Sequence, residues 1–70
     1  MDMRVLVGQN FSRLRQKAGL TQEEVAERSG FSQQFISGLE RGHRNPTVVS
    51  IFELTQAIGA EPIDLFQSID

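Results

Sequence analysis

Four glycines, Gly19, Gly30, Gly42 and Gly59, each close an apolar stripe of helical period, so the chain is cut into segments too short for anything but brief helices. In the first segment Val7, Phe11, Leu14 and Ala18 share one face, which predicts a helix from about Arg4 to Lys17, stopped by Gly19. Thr21-Gln22-Glu23-Glu24 reads as a capping box, with Leu20 and Val25 at staple spacing, and opens a second helix that Ser29-Gly30 ends within two turns. Ser32 is the cap of a third helix. Phe31 and Ile36 repeat the staple, Leu39 continues the stripe, and Gly42 suits the left-handed residue beyond the end. After the polar connector His43-Arg44-Asn45-Pro46, Thr47 caps a fourth helix with Val48, Ile51, Leu54 and Ile58 inward. Pro62 suits the first turn of a short fifth helix carrying Leu65. No segment alternates with period two, so the expected fold is all-α, a compact five-helix unit forming a single domain over residues 1–70.

A chain of 70 residues lacks the length of the barrels and doubly wound sheets that enclose an active-site cavity. No glycine-rich phosphate loop or Ser/His/Asp set is present, and we expect no enzyme. There is no cysteine, hence neither a disulfide framework nor a thiolate metal site, and His43 is the one histidine, so neither a metal nor a cofactor is expected. Small chains without such staples often rely on a partner subunit. Val5-Leu6-Val7 is the longest apolar run, far short of the roughly 20 residues that span a bilayer, and no signal-peptide pattern follows Met1. The expectation is a cytoplasmic protein with no membrane contact.

The net charge of −2 argues mildly against a polyanionic partner, but the total hides a division. Residues 1–45 hold all seven basic side chains against five acids, a net of +2, while residues 46–70 hold four acids and no base. One end of the chain can therefore face a polyanion while the other faces away.

The stretch from Gln22 to Arg41 is a short helix, a tight turn at Gly30 and a second helix capped at Ser32, with small Ala26 where the two helices cross. That is a helix-turn-helix. The sequence resembles the phage-repressor and Cro type of this domain, the XRE-like family, from Asn10-Phe11-Ser12-Arg13-Leu14-Arg15 through Gly19-Leu20-Thr21-Gln22-Glu23-Glu24-Val25-Ala26 to Ile36-Ser37-Gly38-Leu39-Glu40-Arg41-Gly42 and Asn45-Pro46-Thr47. Within the family, Phe35 to Gly42 followed by Arg44-Asn45-Pro46 is most similar to the controller proteins of restriction-modification systems. The resemblance implies sequence-specific binding of double-stranded DNA by a transcriptional regulator whose recognition helix, residues 32–41, enters the major groove.

The residues suit that task. Ser32, Gln33 and Gln34 occupy the leading turn, and a glutamine amide donates and accepts together, matching adenine N6 and N7. Ser37 and Gly38 lie about one turn further along, and a glycine there is consistent with close approach of DNA. Phe35 falls beside the apolar stripe, which leaves open a thymine methyl, as the family's aromatics imply, or packing against the second helix or the first connector. Gln22 matches the family's phosphate-contacting glutamine at a helix N-terminus. Arg41, His43, Arg44 and Asn45, with Lys17 and Arg13 from the first helix, complete the expected phosphate contacts. The resemblance further implies a structural ion pair between Arg15 and Glu40.

One such module touches few base pairs, and repressors of this type bind two half-sites of a palindromic operator as a two-fold dimer. Val49, Phe52, Phe66 and Ile69 are apolar residues left over once the core of the last two helices is assigned, and they are the expected homodimer interface. The alternative reading is an antitoxin-like or adaptor module whose third helix binds protein and whose DNA role is weak or lost, a possibility kept open by the acidic total charge.

Overall fold

The computed structural model describes residues 2–68, and all regular structure among them is helical. Helix α1 spans Met3–Lys17, α2 Gln22–Ser29, α3 Gln33–Glu40 and α4 Val48–Ile58, and a 3-10 segment, Pro62–Phe66, follows. None of these helices is long and apolar enough to cross a membrane.

Local signals set the boundaries. Asp2, which the sequence reading passed over, accepts the Arg4 backbone N–H at 3.0 Å and begins α1 one residue earlier than expected. Thr21 Oγ1 accepts from Glu24 N at 3.0 Å while the Glu24 carboxylate accepts from Thr21 N at 2.9 Å, a reciprocal box. Ser32 and Thr47 cap α3 and α4 in the same manner, each accepting at 3.0 Å from the amide three residues on. Gly30 turns the chain between α2 and α3 at φ 82°, a conformation that costs any residue with a Cβ.

The capping-box carboxylate carries a pH signature. The Thr21 N–H holds the Glu24 carboxyl below the ordinary glutamate range. A depressed folded-state pKa contributes stability that is present above the unfolded value and is lost as pH falls through the folded one. Urea denaturation across that acid range is therefore expected to show wild type ahead of Glu24→Gln near neutrality, with the margin vanishing in acid.

Phe11, Val25, Ile36, Leu39, Leu54 and Leu65 are fully buried, and Val7, Leu20 and Ile58 complete the cluster. Helix α1 lies against α3 and the 3-10 segment, while α2 packs on α3 and α4. Gly8 makes the first of these crossings possible: a methyl built there would overlap the carbonyl oxygen of Leu39 and stand 3.0 Å from that of Glu40. No feature of the sequence reading pointed to this glycine.

Three expectations need correction. The fifth helix is a 3-10 turn. Its five residues allow hardly any i to i+4 bonding, and the carbonyls at its end are taken by Asn10, whose buried amide donates to Leu65 O at 2.8 Å and Gln67 O at 2.9 Å. Ala18 is exposed, because α1 ends at Lys17 and the apolar stripe ends with it. Val48 is 84% exposed. The inward stripe of α4 runs through Ile51, Leu54, Thr55 and Ile58, and Val48 lies a quarter turn off it; buried Thr55 is satisfied by its own helix, its hydroxyl reaching Ile51 O at 2.9 Å and Phe52 O at 3.0 Å.

Asn10 spends every polar atom on this anchor, since its Oδ1 also accepts from Arg13 Nη2 at 3.1 Å. Asn10→Ala leaves two carbonyls without donors and is expected to cost about 1 to 3 kcal/mol in a urea titration.

Candidate nucleic-acid interface

The turn at Gly30 sets α2 and α3 so that a shallow groove opens between them, lined by Gln22, Gln33, Gln34, Ser37 and Arg41. Gln33, Gln34 and Arg41 are exposed, and Gln22 and Ser37 are half-buried. Three side-chain amides, a hydroxyl and a guanidinium thus converge on one outward surface, able to donate and accept toward base edges and to neutralise a phosphate. A second cleft adjoins it through Gln22 and Gln33 and reaches the α1–α2 junction at Gln16, Gly19 and Thr21. Gln16 was not among the expected contacts. Its amide donates to Ser12 Oγ at 3.0 Å, and its position beside Gln22 and Gln33 follows from its neighbour Arg15 turning that side of α1 toward α3.

The groove rests on a largely buried ion pair. Arg15 Nε donates to Glu40 Oε2 at 2.6 Å and Arg15 Nη2 to Oε1 at 3.0 Å, the two side chains being 13% and 7% exposed. Arg15 Nη1 also holds Leu20 O at 2.7 Å, which fixes the chain entering α2. Glu40 Oε1 accepts a third bond, from Gln22 Nε2 at 3.1 Å. A carboxylate only accepts, so the Gln22 amide nitrogen is drawn inward and its oxygen is left toward the groove. The structural pair expected from the resemblance therefore also orients one of the groove's polar groups.

Residues 12–66 match the model of a family described as helix-turn-helix. The chain belongs to the helix-turn-helix family. It is 61% identical over its whole length to an HTH-type transcriptional regulator, y4dJ, of Sinorhizobium fredii, covering 91% of that protein. Among solved structures it resembles the restriction-modification controller protein C.AhdI from Aeromonas hydrophila, with TM-score 0.86 and 41% identity over 90% of this chain and 96% of that one. It also resembles the controller protein C.Esp1396I, solved as a tetramer in complex with its natural 35 base-pair operator, with TM-score 0.84 and 27% identity over 94% of this chain and 87% of that one.

Other expected contacts of this helix-turn-helix chain lie away from the groove. Arg13 is drawn to Asn10, and Lys17 lines a cleft with Leu14, Ile58, Ala60 and Asp64. The two share one face of α1, four residues apart, and that face belongs to the α4 and 3-10 side. Asn45 borders a different cleft, formed by Met3, Arg4, Val7, Pro46, Ile51 and Phe66. His43 is exposed at the end of the recognition helix, its backbone N–H bonded to Gly38 O at 2.8 Å.

Gly38 does not present open backbone to a ligand. It is buried, and the atoms nearest to a methyl built on it are Nε and Cγ of Arg44, at 3.1 and 3.2 Å. The glycine makes room for the arginine stem. Arg44 continues over the Phe35 ring, with its guanidinium carbon 5.4 Å from the centroid, and Phe35 stacks on Phe31 at 4.8 Å. Phe35 thus packs on Phe31 of the α2–α3 turn, a neighbour that neither the thymine-methyl reading nor packing on the second helix or first connector had named.

The surplus apolar residues expected at a dimer interface are exposed where the structure describes them: Val49 and Phe52 on α4 and Phe66 on the 3-10 segment. Ile69 lies outside the described residues. Val48 and Ile63, which the sequence reading did not place in this set, are also exposed.

Proposed function

We propose that the chain is a sequence-specific reader of double-stranded DNA that acts as a homodimeric transcriptional regulator, with α3 in the major groove. The observation that carries this reading is the outward groove of Gln22, Gln33, Gln34, Ser37 and Arg41, held by the Arg15–Glu40 pair. Gln33 and Gln34 stand at the leading turn of α3, where a bidentate amide contact to adenine is geometrically available. Ser32 joins them through its free hydroxyl proton, since its lone pair is engaged in the cap. Gln22, Arg41, His43 and Arg44 supply phosphate contacts, and Gln16 is added to them in place of Arg13, Lys17 and Asn45.

The operator complex of the related controller protein supports the reading. The second copy in our proposal docks on Val49, Phe52 and Phe66, and Val48 and Ile63 extend that surface. The protein so read performs no chemistry of its own and works in the cytoplasm, where it occupies an operator.

Selection from a random DNA pool, followed by titration of the winning site at two salt concentrations, tests this. A palindromic site with a steep salt slope and a dimer in sedimentation at micromolar concentration are expected. Gln33→Ala is expected to cost about 1 to 3 kcal/mol and to relax the preference at one base pair, whereas Arg44→Ala weakens all DNA alike and lowers the salt slope by about 1. A folded dimer that enriches no DNA would overturn the reading in favour of a protein-binding module.

A further inference from the structure

Arg44 lies in the connector after α3, and its side chain is packed along its length. Its stem lies on Gly38, its guanidinium faces the Phe35 ring, and that ring is braced by Phe31 from the turn. The connector is tied to the same spot by the bond from His43 N to Gly38 O. The ion pairs among the described residues are Arg4–Asp2 and Arg15–Glu40, so no carboxylate competes for Arg44. Arg44 as a residue nevertheless remains exposed. A long cation that would ordinarily sample many rotamers is thus confined at the edge of the recognition helix, with its hydrogen-bonding fork still available.

We propose that Phe35 is a positioning residue for Arg44, its ring holding the guanidinium where a DNA phosphate meets the end of α3. This rests on the DNA-reading function proposed above. An aromatic face attracts a guanidinium and restricts it without using any of its N–H donors, so the arginine is pre-ordered and remains able to donate. Gly38 is the matching half of the device, because a methyl there would stand 3.1 and 3.2 Å from Nε and Cγ of Arg44 and the stem would have to shift to make room.

The test is a double-mutant cycle of Phe35→Leu and Arg44→Ala, measured as operator affinity and as the slope of affinity against salt. Leucine keeps most of the apolar volume but has no π face, and Phe35→Trp, which keeps the face, serves as the second variant. Circular dichroism establishes that each variant is folded. Phe35→Leu is expected to weaken binding about threefold and to give up most of the single unit of slope that Arg44→Ala removes, although Arg44 is still present. The double variant then loses no more slope, and Phe35→Trp retains it. In the unbound protein, the Arg44 δ protons are expected upfield by the ring current of Phe35, and the shift disappears in Phe35→Leu.

Wild-type binding with a full slope in both wild type and Phe35→Leu would overturn the proposal while leaving the DNA reading intact. Absence of the ring-current shift in the wild-type protein would overturn it independently of DNA. Failure of the wild type to bind any selected site would overturn the DNA reading and, with it, the role given to Arg44.

Discussion

Glu40→Ala is expected to lower the melting temperature by about 12 to 40 °C. Removing one partner of a buried ion pair strands the other charge in a poorly solvated place, at a cost of about 3 to 5 kcal/mol. Small domains lose about 4 to 8 °C for each kcal/mol, and a single core of this size supplies only about 3 to 5 kcal/mol in all. Here the stranded group is Arg15, which would keep only its bond to Leu20 O. Arg15→Ala is expected to fall in the same range, and an unchanged melting curve for it would refute the structural role. Replacing both partners together, Arg15→Met with Glu40→Leu, is expected to restore much of the stability, because no charge is then left buried. It does not restore the acceptor that turns Gln22, so DNA affinity measured on this refolded double variant should stay low. The contrast separates what the pair does for the fold from what it does for the groove.

Gly8→Ala should be nearly as damaging, against the usual rule that alanine for glycine inside a helix gains about 1 kcal/mol. The added methyl meets two backbone carbonyls at the end of α3. Neither can rotate away as a side chain would, so α1 must lift from α3 and loosen the packing of Phe11 and Leu39 together. Overpacking costs about 1 to 3 kcal/mol, and the upper end or more where the obstacle is backbone, which leaves a net loss of about 2 kcal/mol after the helical gain. Thermal melts of Gly8→Ala beside Gly19→Ala make the comparison informative. At Gly19 nothing lies within 4 Å of a built methyl, and the cost there comes only from its backbone angle, φ 76°.

These two residues also mark what was and was not legible in the sequence. Caps, staples and the turn between α2 and α3 were readable because each is written in a few consecutive residues and closed by bonds within them, as at Thr21 with Glu24. Gly8 was not, because a helix-interior glycine takes its meaning from a partner some thirty positions on. Asn10 could have been found: it follows Leu6 by four residues and Val7 by three, so it falls on the buried face of α1, where a polar side chain must find partners. Of the candidate site, the members contributed by α2 and α3 were placed together because the motif fixes their relative setting. Of the cations expected to support it, Arg41 lines the groove, while Lys17 lies in a cleft with Ile58 and Asp64 and Arg13 is drawn to Asn10. Helical phase alone says that Arg13 and Lys17 share a face but not which neighbour covers it, and nothing in the sequence shows Arg44 folding back onto Phe35.

The anchor at Asn10 joins residues 55 and 57 positions apart, the most distant hydrogen-bonded link among the described residues. Closing a loop over such a span carries an entropic cost that is repaid once the intervening helices have compacted. Phe66 sits between the two carbonyls that Asn10 holds, so this exposed ring takes its place only in a chain that has finished folding. In the dimer proposed above, assembly through Phe66 would therefore be conditional on maturation, and partly folded chains would present a poorer surface to one another during synthesis.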